Sequence, residues 1–153
     1  MANWTVSDIP DQRGRTAVVT GTGGIGLEVA RALAGAGAHV IIAGRNAAKG
    51  AAAVAQIRRD SPKADVRFGL LDLARLESVE AFGETLRHSH DRLDLLVNNA
   101  AVMAPPQRAE TADGFELQFG TNHLGHFALT AQLLPLLTKA HRARVVSLSS
   151  VAA

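Results

Sequence analysis

The chain has 153 residues, 47% of them hydrophobic and 20% charged, with a net charge of +2; that suffices for one globular domain whose core buries roughly two thirds of the unfolded surface. No apolar run approaches the roughly 20 residues of a bilayer span, and the opening MANWTVSDIPDQRGR has Asp8, Pro10 and Asp11 where a signal peptide needs an apolar stretch, so a cytoplasmic protein is expected. The lack of cysteine excludes disulfides and thiolate chemistry, and the scattered basic residues, without interleaved aromatics, argue against a nucleic-acid partner.

Residues 1–15 read as an N-terminal arm and 16–153 as a single dinucleotide-binding domain. The segment from Thr16 to Val29, TAVVTGTGGIGLEV, reads as a buried strand that breaks into a glycine turn and restarts as a helix. Its spacing Gly21-x-Gly23-x-x-Gly26 fits a pyrophosphate site, with one glycine for the turn, one for backbone approach to phosphate and one for helix packing. The helix that follows, Gly26 to Gly35, aims its free N–H groups at the anion and is stopped by Gly35 and Gly37. A strand over His39 to Ala43 comes next, then a helix from the N-cap Asn46 carrying Ala51, Val54 and Ile57 to Ser61-Pro62. Val66 to Leu71 predicts a third strand, and Leu76, Val79, Phe82 and Leu86 lie at helical spacing. Leu93 to Val97 predicts the fourth strand, a long helix is expected from about Asp113 to Lys139 with a kink at Pro135, and Arg144 to Leu148 predicts the fifth. This βα rhythm predicts an α/β fold, a Rossmann-like doubly wound parallel sheet that stops after the fifth strand, with ligands beyond the carboxyl ends of the strands.

Two strand ends carry chemical information. NAD-specific folds place an acid after the second strand to hold the ribose hydroxyls, whereas a 2′-phosphate requires a cation; here Gly44 is followed by Arg45, which favours NADP(H) over NAD. Asn98 and Asn99 end the fourth strand, where buried amides tie loops together and line a cleft. Further on, Asn122 lies between Gly120 and Gly125, a composition that weakens a helix and points to a functional distortion. His123 and His126 are three apart and raise a metal site, but no third ligand converges, so no metal is expected.

The motifs Thr20-Gly21-Thr22-Gly23-Gly24-Ile25-Gly26, Asp72-Leu73, Asn98-Asn99-Ala100-Ala101, Asn122 in TNHLGHFALT, and Ser149-Ser150 after RVVSL occur in the order found in short-chain dehydrogenases/reductases. The chain resembles the N-terminal part of that family, most of all its retinol-dehydrogenase-like and protochlorophyllide-reductase-like branch. The resemblance implies hydride transfer between NADP(H) and a carbonyl or alcohol substrate, small and lipophilic. It implies a cofactor-binding set of Gly21, Thr22, Gly23, Gly24, Ile25, Gly26, Arg45, Asp72, Leu73, Asn98 and Ala100. Asp72 would contact adenine, and Asn98 the nucleotide side, with Ala100 leaving room. Asn122 and Ser150 would take the catalytic positions, Asn122 bending its helix and holding a water through its main chain, Ser150 holding the substrate carbonyl oxygen. Strand alternation, sending Ser147 and Ser149 to the opposite face, supports Ser150.

Three departures qualify the resemblance. The glycine turn is one residue shorter than the family pattern, and Gly23 is expected to absorb the loss through a positive φ. The family's frequent second basic residue in that turn is missing. The proton-donating tyrosine and the lysine four positions after it have no counterpart here, because the chain contains no tyrosine. An inactive fragment of an oxidoreductase is therefore expected, prone to self-association or homo-oligomer formation; the alternative is a noncatalytic nucleotide-binding or interaction protein retaining half of the fold.

Overall fold

A computed structural model describes residues 4–150. Five strands, β1 (Thr16–Thr20), β2 (His39–Gly44), β3 (Val66–Leu70), β4 (Leu95–Asn98) and β5 (Arg144–Ser147), form one parallel sheet in the order β3-β2-β1-β4-β5. The connecting helices are α1 (Gly24–Gly35), α2 (Ala47–Asp60), α3 (Leu76–Ser89) and α4 (Gly125–Leu137). The predicted Rossmann-like α/β architecture is present.

Alternation along the strands builds two cores, one on each face of the sheet. Ala17, Val19, Val40 and Ile42 pack with Ala30 and Ala34 of α1 and Ala53 and Ile57 of α2. Val18, Ile41 and Leu96 face the other way, against Val79, Phe82 and Leu86 of α3 and Leu129, Leu133 and Leu136 of α4. Both faces are covered over the central strands, which is why their sequences are continuously apolar. β1 sits between β2 and β4, so the chain leaves it first to one side and then to the other. That reversal opens a crevice beyond the carboxyl ends of β1 and β4.

Several boundaries differ from the sequence reading. The first helix starts at Gly24 rather than Gly26, and β4 starts at Leu95 because the Leu93 N–H is already engaged by the Leu136 carbonyl of α4. The fourth helix does not begin near Asp113. Gly114 has φ +82°, the Thr111 hydroxyl accepts from the N–H groups of Asp113 and Phe115, and the Glu116 carboxylate accepts from those of Gln118 and Phe119. These bonds stop a helix before Glu116 and start one after it. Residues Phe119–Leu124 are π-helical and lead into α4, which runs through Pro135 to Leu137. Among the described residues, no helix is long and apolar enough to cross a membrane.

Candidate functional site

The glycine turn joins β1 to α1 over the crevice. Gly21 donates its N–H to the Ala43 carbonyl at 2.8 Å and has φ +99°, a conformation that side-chain-bearing residues rarely adopt. A Cβ on Gly26 would run into Asn99 Nδ2 and the carbonyl oxygens of Gly21 and Thr20. Gly23 is extended, with φ −151° and ψ 177°, and caps α1 with no side-chain bond. The shortened turn is thus accommodated by the positive φ of Gly21 and Gly24, not by Gly23 as expected from sequence. The first N–H groups of α1 have no capping side chain, an arrangement suited to an anion.

Beside the turn lies a cleft of about 360 Å³. Gly21 and Thr22 form one wall, Gly44, Arg45, Asn46 and Lys49 a second, and Asp72, Leu73, Ala100, Val102 and Thr121 the remainder. Arg45 lies immediately after β2, where the sequence placed it. Lys49 is a second cation that the sequence reading passed over. The Asn46 side chain accepts from the Lys49 N–H at 2.9 Å and so starts α2 with both cations on the cleft wall. The signal was available in the predicted N-cap Asn46, which puts Lys49 in the first turn of α2, close after Arg45. The Asp72 carboxylate accepts from the Ala74 N–H at 3.0 Å while lining the cleft. Ile25, grouped with the cofactor residues by resemblance, is 63% exposed and lines an apolar groove with Trp4, Val6 and Ile9 of the N-terminal segment.

The asparagine pair divides between two sites. Asn99 stays at the glycine turn, donating from its N–H to the Thr20 hydroxyl and from Nδ2 to the Thr20 carbonyl. Asn98 turns toward α4 and β5 instead, donating to Thr130 Oγ1 at 3.2 Å and Ser147 Oγ at 3.4 Å. It lines a second cleft, of about 420 Å³, with Asn122, His126, Ser147 and Ser149. Adjacent strand-end residues face opposite ways, which is why the two amides separate. Asn122 falls in the π-helical segment, so the distortion expected from its sequence context is observed. Its side chain clamps Val102 at both backbone polar atoms, accepting from the N–H and donating to the carbonyl, each at 2.8 Å.

At the end of β5 the serines group as expected, Ser147 and Ser149 together and Ser150 apart, but it is the Ser147 and Ser149 side that lines the cleft. Ser147 and Ser149 line the Asn122 cleft, whereas Ser150 is exposed and not among its lining residues. The strand itself ends at Ser147. The histidine pair also separates. His123 is exposed and stacks on Phe119, with ring centroids 5.2 Å apart. His126 is 7% exposed, with Nε2 2.8 Å from the Thr20 hydroxyl and Nδ1 2.8 Å from the Asn122 carbonyl. Burial pushes the His126 imidazole below the ordinary histidine value, and the bond to Asn122 opposes this shift.

A parallel sheet with a glycine turn over its switch point defines a dinucleotide-type α/β protein. Residues 15–153 match the family model described as short chain dehydrogenase, and the chain belongs to that family. It is 47% identical over 140 residues to retinol dehydrogenase 12 of Mus musculus, an alignment covering 91% of this chain and 44% of that protein. It is 44% identical over 153 residues to polyprenol dehydrogenase of Danio rerio, covering 97% of this chain and 47% of the relative. Among solved structures it resembles Pseudomonas aeruginosa RhlG in an NADP active-site complex, with 34% identity and a TM-score of 0.77 over 92% of this chain and 56% of that one. The chain spans about half the length of the curated relatives it matches.

Proposed function

We propose that this chain binds NADP(H) through its adenosine half and forms the cofactor-binding part of an oxidoreductase that interconverts a carbonyl and an alcohol. The observation that carries the reading is the pair Arg45 and Lys49 on the cleft wall beyond β2, where an NAD-specific protein would place a carboxylate. Two cations side by side suit the two charges of a 2′-phosphate. Gly21, Thr22 and the open first turn of α1 would take the pyrophosphate, while Asp72 and Leu73 offer a carboxylate edge and an apolar surface to adenine. Gly21 and Gly26 hold the turn tight against Asn99, where a Cβ would collide, while Gly23 and Gly24 leave open space at the start of α1, and the fit of the pyrophosphate rests on that open turn. When bound, the cofactor supplies the hydride.

The chain's own residues hold the substrate side in this reading. Asn98 and Ser147 form a polar floor beneath the Asn122 cleft, whose wall carries Phe127, Val145 and Leu148. That lining suits a lipophilic alcohol or carbonyl compound, in keeping with the retinol and polyprenol named for the relatives. By the family resemblance Ser150, next to the cleft-lining Ser149, would hold the substrate oxygen. Proton transfer is a separate requirement. The chain has no tyrosine, and His126 is engaged at both ring nitrogens, so neither the family's usual donor nor this imidazole is available to protonate an alkoxide. The 153 residues alone are therefore proposed to bind cofactor without turning over.

Titration of NADPH and NADH against the chain, Arg45→Ala and Lys49→Ala tests the reading. The expected result is tighter binding of NADPH, with each substitution removing most of the preference. Equal affinity for the two nucleotides in all three proteins would rule out the 2′-phosphate assignment. Substrate reduction abolished by Ser150→Ala would show that the isolated chain is catalytic after all.

A further inference from the structure

We propose that His126 is a positioning residue of the dinucleotide cleft: its neutral Nδ1–H form ties the Asn122 turn to the Thr20 hydroxyl, which in turn holds the backbone that follows β4. The inference rests on the dinucleotide reading above. It begins with the hydrogen-bond capacity of Thr20. The Thr20 hydroxyl oxygen accepts from the N–H groups of Asn99 at 2.9 Å and Ala100 at 3.0 Å, which occupies both of its lone pairs. Its own proton has two acceptors in reach, His126 Nε2 at 2.8 Å and the Val97 carbonyl at 3.4 Å, and the shorter bond is to His126. Nε2 must then be the lone-pair nitrogen. The other ring nitrogen faces the Asn122 carbonyl at 2.8 Å, and a carbonyl only accepts, so Nδ1 carries the proton.

One continuous set of bonds results. It runs from the Asn122 carbonyl through His126 and Thr20 to the N–H groups of Asn99 and Ala100, while the Asn122 side chain grips Val102 from the other direction. Ala100 and Val102 line the cleft that holds Arg45 and Lys49, and Thr20 adjoins Gly21 of the glycine turn. The three parts of the cleft wall that must stay in register are thus joined through one imidazole. Buried networks of this kind lose more when one member leaves its partners unpaired than the mean value of a single bond. The ring suits this place because it donates at one end and accepts at the other across the gap between two elements. Protonation at Nε2 would set a second donor against an oxygen whose lone pairs are both engaged.

The experiment uses the whole chain and four variants, Thr20→Val, His126→Leu, His126→Gln and the double Thr20→Val/His126→Leu. Long-range ¹H–¹⁵N spectra read the His126 tautomer, amide exchange reads Asn99 and Ala100, and fluorescence titration reads NADPH affinity. The expected results are an Nδ1–H tautomer, exchange at both amides accelerated about tenfold by His126→Leu, and NADPH affinity lowered about tenfold in each of Thr20→Val and His126→Leu. The double variant is expected to be no worse than the weaker single variant. His126→Gln, whose amide also donates and accepts, should recover affinity to within about threefold. An Nε2–H tautomer, unchanged amide exchange, or losses that add fully in the double variant would each overturn the proposal. If the wild-type chain binds no NADPH, the dinucleotide reading fails separately, and the tautomer and amide results still decide the role of His126 as a tie between the two segments.

Discussion

Gly26 shows how one atom constrains the site. Its α position faces Asn99 Nδ2 and two carbonyl oxygens, so Gly26→Ala must push α1 away from the turn or break the bond from Asn99 to the Thr20 carbonyl. Overpacking at a site closed on three sides costs about 1–3 kcal/mol. A thermal melt of Gly26→Ala is expected to shift down by several degrees, and an unchanged midpoint would mean that the turn yields more easily than its contacts indicate. The imidazoles of buried His126 and half-buried His90 make a second prediction. His126 and His90 are both held below the ordinary histidine value, chiefly by burial, with the Arg67 charge adding to the effect at His90. Between about 6.5 and their folded values the unfolded chain binds more protons than the folded one, so stability rises with pH across that window. The contribution is fully present above about 6.5 and is lost as the pH falls below it. Melting midpoints measured from about pH 7.5 down to about pH 5.5 should therefore decline, less steeply in His126→Gln. A midpoint that rose on acidification would contradict the lowered values of these rings.

The start of α3 depends on a residue 37 positions away. Its N-cap residue, Arg75, makes no side-chain capping bond, and the Leu76 N–H instead donates to the Asp113 carboxylate at 2.9 Å. The turn that follows Thr111 therefore serves two elements, ending the approach to α4 and capping α3. Removing a capping oxygen typically costs about 1 kcal/mol. Asp113→Ala is expected to lower stability by about that amount and to speed amide exchange in the first turn of α3, with Asp113→Asn in between. Protection of that turn left intact in Asp113→Ala would show that water caps it equally well.

For the whole molecule, the apolar surface left open is the main physical issue. β5 is an outer strand of the sheet, paired with β4 and exposed along its length, with Val145 and Val146 nearly half accessible. Phe119, Phe127 and Leu134 add a second apolar surface before and along α4. Open strand edges and large apolar patches recruit other chains. The 153-residue chain is expected to self-associate, with mass rising with concentration in size-exclusion chromatography with light scattering, and to melt broadly. A sharp melt from a monomer at high concentration would show that these surfaces are tolerated in water. Replacing Val145 and Val146 with lysine is expected to shift the distribution toward monomer if β5 is the contact.

Local chemistry made much of this legible in the sequence. Strand and helix order, the glycine turn, the Asn46 cap and the weak helix around Asn122 each follow from side-chain period, backbone freedom or capping within a few residues. These determined the α/β class and placed the turn over a crevice. Where a side chain points, and which distant group it meets, was fixed only by packing. Sequence neighbours Asn98 and Asn99 face different clefts, Ser149 rather than Ser150 lines the Asn122 cleft, and Gly21 and Gly24 absorb the short turn. Lys49 joins Arg45 because α2 begins where it does, and His126 meets Thr20 across 106 positions of sequence because α4 lies over the end of β1. Periodicity and capping act over one or two turns of chain, whereas these contacts exist only once the sheet has set the positions of its helices.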